Sequence, residues 1–264
     1  MQWNLFRTTQ LDSYSGQSIS GERFWRSTGW NPDALGGKWL LDCGCGAGRF
    51  AEVAVGAGAN VIALDYSSAV DACFANLGQH PNLHVVQGDI FALPFAPGSF
   101  PFVYSLGVLQ HTPDVAAAFA ALPRMVAPGG QLCADFYEMT WKHRLLPRHF
   151  LRLFTTRMSK QRVFRMCQRW VPRMLRITKR IGRIPRVGPL LVRAIPVADY
   201  RNVFPLTEAQ VTEWALLDTF DWLSPEYDQP QKREVVNQWI SAAGFGESSV
   251  FKAGFMIARG SDKQ

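Results

Sequence analysis

Short apolar runs alternate with segments of helical spacing through the first half of this chain. KWLLDCG (38–44) is almost continuously apolar, the pattern of a strand covered on both faces. GRFAEVAVGAG (48–58) predicts a short helix closed by glycine, and NVIALDY (60–66) a second buried strand. SSAVDACFANLGQH (67–80) has helical spacing, with Ser67 or Ser68 as cap and Gly78 near its end. LHVVQGD (83–89) and PFVYSLGVLQH (101–111) supply a third and a fourth strand. DVAAAFAALPRMVAPGG (114–130) predicts an alanine-rich helix that runs on until Pro128-Gly129-Gly130 stops it, before a fifth strand in QLCADFYE (131–138). Strands alternating with helices of this length form right-handed βαβ units, so the expected fold is α/β, a doubly wound parallel sheet with helices on both faces.

The rhythm changes near Met139. KQRVFRMCQRWVPRMLRITKRIG (160–182) places Val163, Cys167, Trp170, Met174 and Ile177 at steps of three and four, which predicts an apolar helical stripe among arginines, interrupted or kinked at Pro172. KREVVNQWISAAGF (232–245) predicts a helix ending at Gly244, followed by two short strands in SSVFKAG and FMIARG. The expected organisation is an N-terminal segment (1–37), a core built from 38–139 and 230–264, and a helical insertion (140–229) between the fifth strand and the last helix.

Charge sharpens that division. Of the 28 Lys and Arg, sixteen lie between Glu138 and Asp199, a stretch with no acidic residue; the remaining 12 basic residues face 21 acidic ones, a balance of −9. All of the excess positive charge therefore belongs to one segment, and an anionic partner is its natural complement. Residues 202–231 then carry Glu208, Glu213, Asp218, Asp221, Glu226 and Asp228 without a single Lys or Arg. No apolar run reaches the ~18 residues of a membrane span, and MQWNLFRTTQLDSYSG has no apolar core of a secretory signal. Cytoplasmic localisation follows as the expectation, with attachment to the inner face of the membrane left open. Five scattered cysteines give no disulfide framework, and the Cys43-x-Cys45 pair has no third ligand in view, so no metal is expected.

The candidate chemistry starts at LLDCGCGAGRF (40–50). A strand ends at Asp42, and Gly44, Gly46 and Gly48 follow at alternate positions before a helix begins. Such glycines let a ligand approach the main chain, and the helix start contributes unpaired N–H groups. Asp65, ending the second strand, is placed to accept hydrogen bonds from ribose hydroxyls, and Asp89 with Ile90, ending the third, to meet a purine. Asp42, Tyr66 and Ser105, at the ends of the first, second and fourth strands, complete the candidate set. A nicotinamide dinucleotide is the other nucleotide to weigh, but its fingerprint is G-x-G-x-x-G and here the third glycine comes one residue early.

Residues 38–135 resemble the class I S-adenosylmethionine-dependent methyltransferases, in the branch of the ubiquinone and menaquinone C-methyltransferases. D-C-G-C-G-A-G matches the D-x-G-x-G-x-G of that family, and Asp65 its ribose-binding acid. GDIFALPFAPGSF matches its D-x-x-x-L-P-F segment, Leu109-Gln110-His111 the stretch after strand four, and APGGQL the turn before strand five; Pro101 departs from its usual aspartate. The resemblance implies a seven-stranded, Rossmann-like sheet, S-adenosyl-L-methionine as cofactor, and methyl transfer.

In-line displacement at a sulfonium methyl needs alignment of the nucleophile, worth up to ~7–11 kcal/mol. A hydroxyl nucleophile also gains from a general base, for which His111 is the first candidate. Asp218, Asp221 and Tyr227, among the aromatics of LLDTFDWLSPEYDQPQ, are the next catalytic candidates. Tyr14 and Arg23, in the segment expected to cover the cofactor, are candidates for its methionine carboxylate. The basic insertion suits a membrane surface through 140–200 or a small or lipid-linked anionic acceptor bearing a hydroxyl, such as a glycan or quinone-type intermediate. Nucleic acid is disfavoured as a partner: no RNA-binding motif is present, and SLGV stands where adenine N-methylating enzymes carry N-P-P-Y. An RNA methyltransferase and an inert binding protein on the same scaffold remain the competing readings. The sequence leaves the oligomeric state open.

Overall fold

The computed structural model describes residues 2–140 and 147–264. The chain divides into two compact units, one made of Met1–Met139 with Tyr227–Gln264, the other of Thr140–Glu226.

The first unit opens with helices α1 (Gln2–Leu5), α2 (Asp12–Ser15) and α3 (Ile19–Thr28). Alternating elements follow: β1 (Trp39–Cys43), α4 (Arg49–Gly56), β2 (Asn60–Asp65), α5 (Ala69–Leu77), β3 (Leu83–Gln87), β4 (Phe100–Ser105), α6 (Val115–Ala121) and β5 (Val126–Phe136). Its seven-stranded sheet has the order β3-β2-β1-β4-β5-β7-β6, where β6 is Phe245–Ala253 and β7 is Phe255–Lys263. The first five strands are parallel, and β7 runs antiparallel to both β5 and β6. The doubly wound, mostly parallel architecture expected from the pattern is the one observed.

Residue alternation explains why both faces are covered. Along β1, Leu40 packs into a core with Phe24, Phe50 and Ala54, while Leu41 packs into the opposite core with Val115, Phe119 and Ile240. Along β4, Phe102 and Tyr104 join the first of these cores and Val103 the second. A period of two thus sends neighbouring residues to opposite layers, and both layers are apolar.

Two local expectations are corrected. The helix after β4 stops at Ala121 rather than at Pro128, because Pro123 has no N–H to continue the ladder; a 3₁₀ turn over Pro123–Met125 leads into β5 at Val126. Pro128-Gly129-Gly130 instead lie within β5, where the register against β4 shifts between Phe100 and Phe102. Gly130 is fixed by crowding: a Cβ there would stand 2.7 Å from the Pro101 carbonyl. The last two strands are also longer than predicted, nine residues each.

The chain leaves the first unit at Met139 and re-enters it at Tyr227 beside the same place. Met139 N donates to the Gln231 carbonyl and Gln231 N to the Tyr137 carbonyl, both at 2.8 Å. Glu138 anchors this crossing through Arg233 (3.1 Å) and Lys252 (2.9 Å), which hold its carboxyl below the usual range. The chain then runs into α11 (Arg233–Ser241).

The second unit is helical among the described residues: α7 (Pro147–Thr155), α8 (Lys160–Ile181), α9 (Gly188–Arg193) and α10 (Glu208–Leu223). Helix α8 runs unbroken through Pro172, and its buried stripe is Val163, Cys167, Val171, Leu175 and Thr178. The expected Trp170 and Met174 are half-buried beside that stripe, and Ile177 is exposed. Steps of four select a ridge that packs on α10, where Ala215, Phe220 and Leu223 complete the core. Thr178 is buried because its hydroxyl donates to Asp199 (2.8 Å). Helix α10 begins with a reciprocal capping box between Thr207 and Gln210. Phe220 is 1% exposed and meets Phe164 edge-on at 5.5 Å. Phe220→Ala is expected to cost about 3–5 kcal/mol, read as a lowered urea midpoint of the full chain.

Candidate active site

Strand order reverses between β1 and β4, and the loops leaving these two strands define the crevice where ligands of open α/β sheets bind. After β1 the chain turns through Gly44 (φ 94°), Gly46 (φ 54°) and Gly48 (φ 92°), all in the left-handed region that side chains resist. Space forbids a side chain as well: a Cβ on Gly44 would lie 2.4 Å from Val108, just past β4, and one on Gly48 would lie 2.8 Å from Leu77. Gly46 is different, since a Cβ there would meet only the Trp3 indole of α1, at 3.5 Å.

The loop is held by the end of β2. Gly44 N and Cys45 N both donate to the Leu64 carbonyl (2.7 and 2.9 Å), and Gly46 N donates to Asp65 Oδ2 (3.0 Å). The other oxygen of Asp65 accepts from Ser67 N (2.9 Å) and Ser67 Oγ (2.7 Å). The carboxylate is therefore oriented from two sides, yet it is only partly buried, and Oδ2, which accepts one bond where Oδ1 accepts two, keeps lone-pair capacity in reserve. Tyr66 follows, 75% exposed. Asp89 accepts from Phe91 N (3.0 Å) at the head of a 3₁₀ turn, and Ile90 beside it is buried. Ser105 is fully buried, its hydroxyl donating to the Cys43 carbonyl (2.8 Å), so it clamps β4 to β1.

Asp42 is the anomaly of this site. It is 1% exposed and lies opposite Tyr104 in the β1–β4 register; among the described residues neither its Oδ2 nor the buried Tyr104 hydroxyl makes a hydrogen bond of normal geometry, though the two groups face each other closely enough to interact. Burial pushes its pKa up to about 8, against the lowering effect of the Tyr104 hydroxyl and with a further push from the Asp65 charge.

The loop after β4 is built around a second buried carboxylate. Asp135 of β5, fully buried, accepts from Gly107 N (2.5 Å) and from Arg23 Nη2 of α3 (2.6 Å). The Arg23 guanidinium also lies over the rings of Phe255 (4.2 Å) and Phe50 (5.2 Å), while its buried Nε is left without a partner. Tyr14 of α2 is exposed. Gln110 is fully buried with neither amide atom hydrogen-bonded. The re-entering segment straps this loop: Gln229 N donates to the Gln110 carbonyl (3.0 Å) and Gln229 Nε2 to those of Thr112 (2.8 Å) and Pro113 (3.0 Å).

His111 and Tyr227 are brought together, though through the Tyr227 carbonyl rather than its phenol: His111 Nδ1 lies 3.1 Å from that oxygen. A carbonyl can only accept, so Nδ1 carries the proton and Nε2 the lone pair, the tautomer a general base needs. The ring also packs edge-on against Tyr137 at 5.6 Å. Asp221 lies half-buried on α10 of the second unit.

The methyltransferase-domain family matches residues 41–134, which run from β1 to β5 and include both loops. Residues 41–134 form a class I methyltransferase domain. Domains of this class use S-adenosylmethionine as methyl donor. A ubiquinone biosynthesis O-methyltransferase of Aromatoleum aromaticum is 38% identical over 102 residues, which are 37% of this chain and 43% of that protein. A demethylmenaquinone methyltransferase of Beutenbergia cavernae is 33% identical over 149 residues, 54% of this chain and 60% of that one. The chain thus spans about half the length of these curated relatives. An O-methyltransferase family protein of Burkholderia thailandensis shares the fold, with a TM-score of 0.54 at 10% identity over 96% of this chain and 59% of its own.

The residues present suit the donor of this methyltransferase domain. Its methionine end carries an ammonium and a carboxylate, and the domain offers a buried carboxylate oxygen (Asp42) and a buried guanidinium N–H (Arg23) with no partner. The Arg23–Asp135 pair, Gln110 and the Gln229 strap escaped the sequence reading. An aspartate inside the apolar QLCADFYE strand was the one available signal, since a buried acid requires a partner.

Two expectations follow. Arg23→Ala leaves Asp135 charged and unpaired, at a cost of about 3–5 kcal/mol, measurable by urea unfolding. Asp42 has a folded pKa raised above its unfolded value, so its contribution is fully present below pH ~4 and is lost as pH rises through ~8. Against Asp42→Asn, which cannot ionise, the ligand-free protein should lose about 1.4 kcal/mol per pH unit across that window, checked by unfolding both proteins at pH 5 and pH 8.

Proposed function

We propose that this chain transfers a methyl group from S-adenosylmethionine to a small or lipid-linked acceptor bearing a hydroxyl, a quinone-type phenol before a glycan. The observation that carries the reading is the glycine loop at the point of strand reversal, with Asp65 bonded to Gly46 N and Asp42 Oδ2 unpartnered beside it. The relatives, a ubiquinone biosynthesis O-methyltransferase and a demethylmenaquinone methyltransferase, favour the quinone-type acceptor.

When bound, the donor supplies a methyl group on a sulfonium whose leaving group is a neutral thioether. Asp65 would hold the ribose hydroxyls, with Tyr66 at the rim, and Asp89 and Ile90 would flank the adenine. The main chain at Gly44, Gly46 and Gly48 gives the ligand a close approach, with Ser105 bracing the strands behind it. Asp42 would face the ammonium of the methionine part and Arg23 its carboxylate, which also gives the N-terminal segment its role as a cover. An ammonium beside Asp42 favours the ionised form that burial opposes, so binding and deprotonation reinforce each other.

His111 Nε2 would take the acceptor hydroxyl proton, with Nδ1–H fixed by the Tyr227 carbonyl. Gln110 offers one donor and one acceptor to the substrate. The second unit, 140–226, is the part of the chain proposed to select the acceptor; Asp221 is given no role in the chemistry.

Asp65→Ala is expected to abolish uptake of S-adenosylhomocysteine in calorimetry. His111→Ala should retain that uptake while the methylation rate of a catechol-type acceptor falls by roughly 10²–10⁴. Folded wild-type protein that takes up neither the donor nor its demethylated product would sink this reading.

A further inference from the structure

The second unit holds 17 Lys and Arg against six acids, a balance of 17 − 6 = +11. Lys179 pairs with Glu208 (2.6 Å) and Arg201 with Asp199, while Arg176, Arg180, Arg183, Arg186 and Arg193 have no carboxylate partner among the described residues. These five surround a run of aliphatic side chains that the fold leaves in water. Ile177 closes the exposed side of α8 at 40% exposure, Ile184 (45%) and Val187 (49%) sit on the turn after it, and Leu190 (68%) and Leu191 (46%) lie on α9. Five exposed aliphatic residues within fifteen positions are not the scattered apolar residues of an ordinary surface. Helix α7 repeats the device, with Phe150, Leu153 and Phe154 on one helical face, each more than half exposed.

We propose that the segment 176–193 docks the protein on an anionic phospholipid surface. Guanidinium groups take the lipid phosphates, and the aliphatic side chains between them enter the acyl boundary. A phospholipid interface accepts both at once. A polyanion such as RNA would answer the arginines of 176–193 but not the aliphatic side chains between them, and no aromatic residue lies within that segment for a base to stack on. Attachment of this kind needs only the surface of the bilayer, and no helix among the described residues is long and apolar enough to cross a membrane. It stands independently of methyl transfer and would survive the failure of that reading.

The test is co-sedimentation of the full chain with vesicles of phosphatidylglycerol and phosphatidylcholine in equal parts, and with vesicles of phosphatidylcholine alone. Binding to the anionic vesicles should exceed binding to the neutral ones by about tenfold or more. It should fall severalfold in Arg180→Gln/Arg183→Gln. It should fall as far in Leu190→Ser/Leu191→Ser, which changes no charge and sits at exposed positions, with both variants keeping the wild-type thermal midpoint. Equal binding to the two vesicles, absence of binding, or undiminished binding of the leucine variant would overturn the proposal. So would a single-stranded RNA that displaces the protein from the vesicles and binds the leucine variant as tightly as the wild type.

Discussion

The site rests on one hydrogen bond, from Gly46 N to the carboxylate of Asp65. It joins the loop after the first strand to the end of the second, and it is possible only because three alternating glycines take backbone angles that other residues resist. The same bond leaves the carboxylate partly open, with acceptor capacity in reserve. The loop is itself closely packed, with Gly46 and Gly48 buried. Val108 already fills the space a side chain at Gly44 would need, and Leu77 that at Gly48. The crevice at the strand reversal is thus a product of steric exclusion as much as of attraction.

Much of this was legible because it depends on periods and on glycine. Leu40 and Leu41 go to opposite cores for the reason that any strand alternates, and the parallel order follows from the helices between strands. Asp65 and the glycines could be placed because their roles are local, within one βαβ unit. What the sequence hid was long-range. Arg23 and Asp135 are 112 positions apart, and Gln229 reaches Thr112 across 117. His111 could be named from its motif, but its tautomer depends on a main-chain carbonyl 116 residues away, which no side-chain pattern encodes. The stripe on α8 departs from the expected one at Ile177, which is exposed, while Trp170 and Met174 pack half-buried against the core, because spacing of three and four fits two adjacent ridges of a helix and only the partner helix decides between them.

The two units solve the problem of charge in opposite ways. In the first, buried carboxylates are few and each is tied to a function of position: Asp135 holds Arg23 and the Gly107 turn, Asp42 faces Tyr104. In the second, positive charge is kept at the surface, and the acids that answer part of it, Asp199 and Glu208, come after the basic segment. Helix α8 can carry so many arginines because its apolar stripe packs on α10 while the arginines lie off that stripe at exposed positions.

Asp42 and Arg23 bring these arguments to a single point. An unpartnered acceptor and an unpartnered donor, both buried, are each costly in isolation. A protein selected only for stability would remove them, since an apolar residue of similar shape is cheaper at either position. They persist in one unit, Asp42 on the strand that leads into the glycine loop and Arg23 on the carboxylate that holds the Gly107 turn. A ligand with a cationic and an anionic group at one end would satisfy both, and would be bound the more strongly because the site has already excluded water from them. The cost of burying these two atoms and the affinity for a ligand that answers them are then two aspects of one arrangement.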